Sequence, residues 1–151
     1  MKWIIEGYVG ASDLKLGMSP AQAVPFAGVP FRIYEAPNGQ IFETREPNEP
    51  DLTYENDRLI EISFTPDVDS VAYDGLKVFT RPPSEILNHV MMQETNMWQI
   101  FDMLVAYDLG LFMHGLHNDF DKPRIGTFVK GKWDYMRKDE CAEPYVAPLN
   151  P

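Results

Sequence analysis

"LTYENDRLIEISF", residues Leu52 to Phe64, consists of two apolar arms around a polar hinge. Leu52-Thr53-Tyr54 leads into Glu55-Asn56-Asp57-Arg58, and Leu59 to Phe64 leads out. In the second arm Ile60, Ile62 and Phe64 alternate with Glu61 and Ser63, the period-two pattern of a strand with one buried face. So short a hinge joins only antiparallel strands, because parallel neighbours need a crossover of a dozen or more residues. The pattern recurs at Val71 to Phe79, where Asp74-Gly75 supplies the two residues tolerant of positive φ that a tight hairpin turn requires. Ile125 to Val129 and Lys132 to Tyr135 flank Lys130-Gly131 and read as a third hairpin, and Leu109 to Met113 as a further strand.

Helices are marked by their ends. In "LGMSPAQAVPFAGVP", Leu16 to Pro30, Ser19 is placed to cap a helix, Pro20 suits its first position and Gln22 completes a capping box. Pro25 keeps the helix short or kinked, Gly28 stops it and Pro30 prevents its resumption. A second helix is expected after Arg81-Pro82-Pro83, with Ser84 as cap and Ile86, Leu87, Val90 and Met91 as one apolar stripe. Trp98 to Val105 fits a helix and a strand equally well. The expected fold class is therefore α+β: a mainly antiparallel, twisted sheet of about 5–7 strands with two helices packed on one face. Residues 1–138 read as one such domain, and residues 139–151, with Pro144, Pro148 and Pro151, as a proline-rich C-terminal tail.

A chain of 151 residues fits one domain, and a hydrophobic content of 44% allows a real core. Cys141 is the single cysteine, so neither an intramolecular disulfide nor a cysteine metal cluster is available. Asp102 and Asp108 interrupt the richest apolar segment, which excludes a transmembrane helix there. The apolar stretch Trp3-Ile4-Ile5 is too short for a secretory signal, and the expected compartment is the cytoplasm. The net charge of −10 argues against a nucleic-acid partner, since phosphates are repelled unless a basic face compensates. That charge is uneven. Glu35, Glu43, Glu46, Glu49, Asp51, Glu55, Asp57 and Glu61 crowd the first half, whereas Lys122, Arg124, Lys130, Lys132, Arg137 and Lys138 face only Asp134.

Chemistry is sparse. His114-Gly115-Leu116-His117-Asn118-Asp119-Phe120-Asp121 holds imidazole and carboxylate groups of the kind that bind divalent metals, but Gly115 breaks the helical spacing a paired site wants. None of Ser12, Ser19, Ser63, Ser70 and Ser84 lies in a Gly-x-Ser-x-Gly elbow, so no catalytic residue, cofactor or metal is assigned and the chain reads as a non-enzyme.

The order of elements resembles that of a broad group of small bacterial α+β proteins. Leu16-Gly17-Met18-Ser19 opens a helix and Gly28-Val29-Pro30 stops it; the Arg58–Phe64 arm, Gly75 to Phe79 and Asp108 to Leu111 follow. The likeness spans roughly Asp13 to Tyr135. Some members of that group are immunity proteins of interbacterial toxin systems. A related helix opening occurs in outer-membrane assembly lipoproteins, from which this chain departs because no lipid-attachment cysteine follows its N-terminus. The resemblance brings no catalytic residues with it. With the charge, it implies a cytoplasmic binding protein, an immunity protein that neutralises a cognate antibacterial toxin by direct contact. A basic toxin domain is the expected partner, because an acidic surface attracts and plugs a cleft built for phosphate. Glu43, Glu46, Glu49, Asp51, Glu55 and Asp57 are the expected contacts, with Tyr54 as an aromatic anchor. The alternatives are a small-molecule or metal-binding domain using the His114–Asp121 turn, and a hydrolase with convergent carboxylates.

Overall fold

In the computed structural model, which describes residues 3–117 and 122–146, the chain runs through fourteen strands and two α-helices. The first half contains β1 (Trp3–Glu6), β2 (Gly10–Ala11), β3 (Leu14–Lys15), α1 (Pro20–Ala27), β4 (Arg32–Glu35), β5 (Ile41–Thr44), β6 (Asp51–Glu55) and β7 (Arg58–Phe64). The second contains β8 (Val71–Tyr73), β9 (Leu76–Lys77), α2 (Pro83–Met91), β10 (Met97–Ile100), β11 (Met103–Ala106), β12 (Leu111–His114) and β13 (Arg124–Phe128). A 3-10 turn over Asp134–Lys138 then leads to β14 (Glu143–Pro144). The fold is α+β with mostly antiparallel pairing, but the single sheet expected is two. Nine strands form one in the order β14-β10-β11-β12-β13-β7-β6-β5-β4, and five form the other in the order β3-β2-β1-β8-β9.

The helices do not share one face of one sheet. At eight and nine residues they are too short to cover nine strands, since a helix gains only about 1.5 Å per residue. The small sheet supplies the missing cover. Trp3, Ile5, Leu14, Val71 and Tyr73 join Ile86, Leu87 and Val90 of α2 over Leu52, Ile62, Phe64, Leu104, Leu111, Met113 and Ile125 of the large sheet. Helix α1 packs beside β3 and buries only Ala23 and Ala27. One pair escapes the antiparallel rule: β1 runs parallel to β8, and the whole segment from β2 to β7 is its crossover.

Local chemistry explains the elements. Ser19 Oγ accepts from the Gln22 N–H at 3.2 Å and Gln22 Oε1 accepts from the Ser19 N–H at 2.9 Å, closing the capping box, and Gly28 ends α1 at φ 83°. Asn56 and Asp57 take φ near +55°, as do Asp74 and Gly75 at 50° and 82°, so both expected hairpins turn on residues that tolerate that region. The β6–β7 pairing slips by one at Tyr54, which places Leu59 in the main core cluster, while Ile60 is buried outside it. Ser84 is not a cap: α2 begins at Pro83, and Pro82, with no side-chain donor or acceptor, holds the capping position. Trp98 to Val105 forms the β10–β11 hairpin, turning at Phe101 with φ 50°.

The third expected hairpin does not form. Both edges of β13 are occupied, by β12 and β7, so Lys132 to Tyr135 has no ladder to join and enters the 3-10 turn instead. Residues 143–144, in the segment read as tail, pair with β10, and the Tyr145 N–H donates to the Met97 carbonyl at 2.8 Å. No helix among the described residues is long and apolar enough to cross a membrane.

Candidate functional site

Side chains alternate across a strand, so the face of the large sheet turned away from the main core carries its own set. On its far side Val105, Tyr107, Phe112, Phe128 and Met136 form a second, smaller core, with Trp133 against it. Where that cover ends, a cavity of about 250 Å³ opens, walled by Phe42, Met103, Phe112 and Trp133 and edged by Thr53, Ser63 and Arg124. Gly126 pairs opposite Phe112 and has no room for a side chain: a Cβ there would lie 2.5 Å from the Phe112 ring and 2.1 Å from the Ile62 carbonyl oxygen. Phe112 rests directly on bare backbone.

Arg124 is held at the cavity mouth by Nη1, which donates to Asp51 Oδ2 at 3.0 Å and Ser63 Oγ at 2.7 Å. The pair is about one-third exposed, so water screens it only in part. At the inner end Glu61 Oε1 accepts from Trp133 Nε1 at 3.0 Å and lies 3.4 Å from Lys132 Nζ, which in turn sits 3.8 Å above the Trp133 ring. Burial pushes the Glu61 carboxyl up, against the opposing pull of Lys132 and the Trp133 bond. Two further hollows adjoin Arg124, one lined by Thr65, His114 and Lys122, the other by Glu46, Glu49, Asp51 and Asp67 among others.

The acids expected to form one binding surface are divided. Glu43 is buried, and its Oε1 accepts from Arg45 Nη2 at 2.7 Å; Arg45 Nε also donates to the Gly28 carbonyl at 3.0 Å. Tyr54 is 1% exposed and packs in the main core, so it offers no anchor to a partner. Its hydroxyl has no hydrogen-bond partner among the described residues, and burial followed by the nearby Glu43 charge pushes it up to about 12. Asp51 is engaged by Arg124. Glu46 and Glu49 lie in the β5–β6 connection, at one end of the strands. Glu55 and Asp57 lie at the β6–β7 turn, at the other, where Glu55 Oε2 accepts from Gln40 Nε2 at 3.1 Å. The sequence clusters these residues; antiparallel strands send alternate connections to opposite ends.

Between those two ends runs β4, the open edge of the large sheet. All four of its residues are exposed, and Phe31, Ile33 and Tyr34 are 65%, 63% and 62% accessible. The Ala36 N–H donates to the Gln40 carbonyl, in register with the β4–β5 ladder. Because ladder bonds alternate, Tyr34 also turns its backbone groups to β5, and Ile33 and Glu35 turn theirs outward. Pro30 and Pro37 bracket the strand, confining any added pairing to the residues between them. Nothing in "FRIYE" announced this, because a strand exposed on both faces has no buried period to read.

Of the metal candidate, His114 lies at the end of β12 and His117 in the turn beyond, while Asp119 and Asp121 fall outside the described residues. Among the described residues no three His, Cys, Asp or Glu side chains gather as a metal site. Two groups went unread in the sequence. Arg124 opens an otherwise uncharged strand, a signal available there; Glu94, which binds three backbone N–H groups of neighbouring loops, has no local signature. No protein-family model, curated protein or solved structure matches this chain.

Proposed function

We propose that this chain is a binding protein that captures a basic protein domain, and that it serves as an immunity protein neutralising an antibacterial toxin. The observation that carries the reading is β4: an unpaired edge strand with apolar side chains on both faces and backbone groups of Ile33 and Glu35 directed outward. Natural sheets usually blunt such edges, and one left open offers main-chain hydrogen bonds to a strand of a partner. Glu35 on the strand, Glu46 and Glu49 beyond one end, and Glu55 and Asp57 beyond the other surround that edge with negative charge. They would steer a cationic partner in, and Phe31, Ile33 and Tyr34 would hold it.

The test sequences the genes flanking this chain's own and uses any basic toxin domain found there as analyte in surface-binding kinetics. Association should slow steeply from low to moderate salt, and reversing Glu46, Glu55 and Asp57 to lysine should lower the on-rate. Ile33→Pro, which removes an outward N–H, should raise the off-rate while leaving thermal stability near that of the unaltered chain. A salt-independent on-rate together with an unaffected I33P complex would refute the reading. Small-molecule binding stands as a second reading because of the cavity beside Arg124.

A further inference from the structure

Away from the β4 edge, we infer that the cavity on the second face of the large sheet is a binding site for a small carboxylic acid with an aromatic body. Three observations converge on that class of ligand.

The first is the guanidinium. Both hydrogen bonds that Arg124 gives to described residues leave from Nη1, to Asp51 and Ser63. These contacts fix the plane of the group and leave its Nε–Nη2 edge, the edge that meets a carboxylate with two parallel N–H donors, for a ligand. The second is position: Arg124 borders the 250 Å³ cavity and both adjoining hollows. The third is the composition of the walls. Phe42, Met103, Phe112 and Trp133 offer flat and polarisable surface, and the acids that share the lining, Glu43, Asp51 and Glu61, are already engaged by Arg45, by Arg124 and by Lys132 with Trp133. A concave, mostly apolar pocket with a small number of oriented polar groups is the general form of a small-molecule site.

The rest of the face preserves that geometry. Trp133 is pinned by its Nε1–H bond to Glu61 and by Lys132 above its ring, so the inner wall is rigid. Gly126 lets the Phe112 ring approach the backbone of β13; a side chain at that position would displace the ring that walls the cavity. Asp51 offsets the guanidinium charge without occupying its outer edge. Within the 250 Å³ cavity, whose lining holds Arg124 but no lysine, an aromatic acid gains from Arg124 and from the walls together, whereas an inorganic anion gains nothing from the walls.

The experiment is a ¹⁵N–¹H NMR titration of the full chain with 3-phenylpropionate, and in parallel with 3-phenylpropanamide, its uncharged isostere. The acid should produce saturable shifts at Ser63, Phe112, Arg124 and the Trp133 indole, and the amide should bind at least roughly tenfold more weakly, the usual worth of a charge-assisted bidentate contact. Arg124→Lys retains the charge but loses the fork, and should weaken the acid by a similar factor. If that variant does not fold, the acid–amide comparison on the unaltered chain decides. Equal affinity for acid and amide, shifts located elsewhere, or no saturable shift would each overturn the inference.

Discussion

Glu94→Ala should remove about 3 kcal/mol of folding stability, a large share of the roughly 5–15 kcal/mol that a domain possesses. Glu94 is 8% exposed and lies just beyond α2. Its Oε1 accepts from the N–H groups of Asp108 and Leu109, both at 2.9 Å, and its Oε2 from that of Asn96 at 2.8 Å. One carboxyl thus ties the link between α2 and β10 to the turn between β11 and β12. Truncation leaves three backbone donors facing a hole, at about 1–3 kcal/mol each, and entry of water into the space brings each towards the low end. Burial pushes this carboxyl up despite its bonds, so the cost arises from orphaned donors more than from lost charge. Glutamine, which keeps one acceptor and turns an NH₂ towards the other donors, should lose about half as much. With a urea slope of about 2 kcal/mol/M, the alanine variant's midpoint should fall by about 1.5 M at unchanged slope. A loss under about 1 kcal/mol, or equal losses for alanine and glutamine, would refute the reasoning.

Ser19→Ala removes the Oγ acceptor of the capping box while keeping the backbone N–H that donates to Gln22 Oε1, and should cost about 1 kcal/mol, a fall in Tm of about 2–4 °C by calorimetry. Gly126→Ala drives a methyl into the Ile62 carbonyl and the Phe112 ring; a loss of about 1–3 kcal/mol and displaced Phe112 ring resonances are expected. In alkaline titration followed by tyrosinate absorbance, Tyr54 and Tyr107 should ionise last, since burial pushes both up to about 12. Their folded values lie above the ordinary 10.0, so the stability they contribute is complete below pH 10 and is lost as pH rises towards 12. Tyr54→Phe, which deletes a hydroxyl with no hydrogen-bond partner among the described residues, should be neutral or stabilising in urea and should flatten that alkaline loss.

Elements with a local cause were legible before any coordinates. The α1 cap, the Asp74-Gly75 turn and the Leu52–Phe64 hairpin each rest on a few adjacent residues whose dihedral and hydrogen-bonding preferences agree. Legibility failed where burial is two-sided or absent. Strands β11, β12 and β13 lie between two cores, so "MLVA" and "LFMH" show near-continuous apolar runs rather than alternation, and β10–β11 read as well for helix as for strand. Strand β4 has no buried face at all, and its importance is visible only once it is seen to end the sheet. The candidate site fared likewise. Asp51, Ser63 and Arg124 lie far apart in the chain and meet because β13 pairs with β7 and β7 with β6.

What the sequence determined by itself was the α+β class, the antiparallel habit, the ends of α1 and the net negative charge, since each depends on interactions within a few residues or on composition alone. Tertiary structure decided that there are two sheets, that Glu43 and Tyr54 are interior, that Glu46 and Asp57 stand at opposite ends of the strands, and that Arg124 faces an aromatic cavity. Those outcomes depend on which strand edges find each other across the chain, and pairing between distant segments is settled by the joint burial of both faces, which no short stretch encodes.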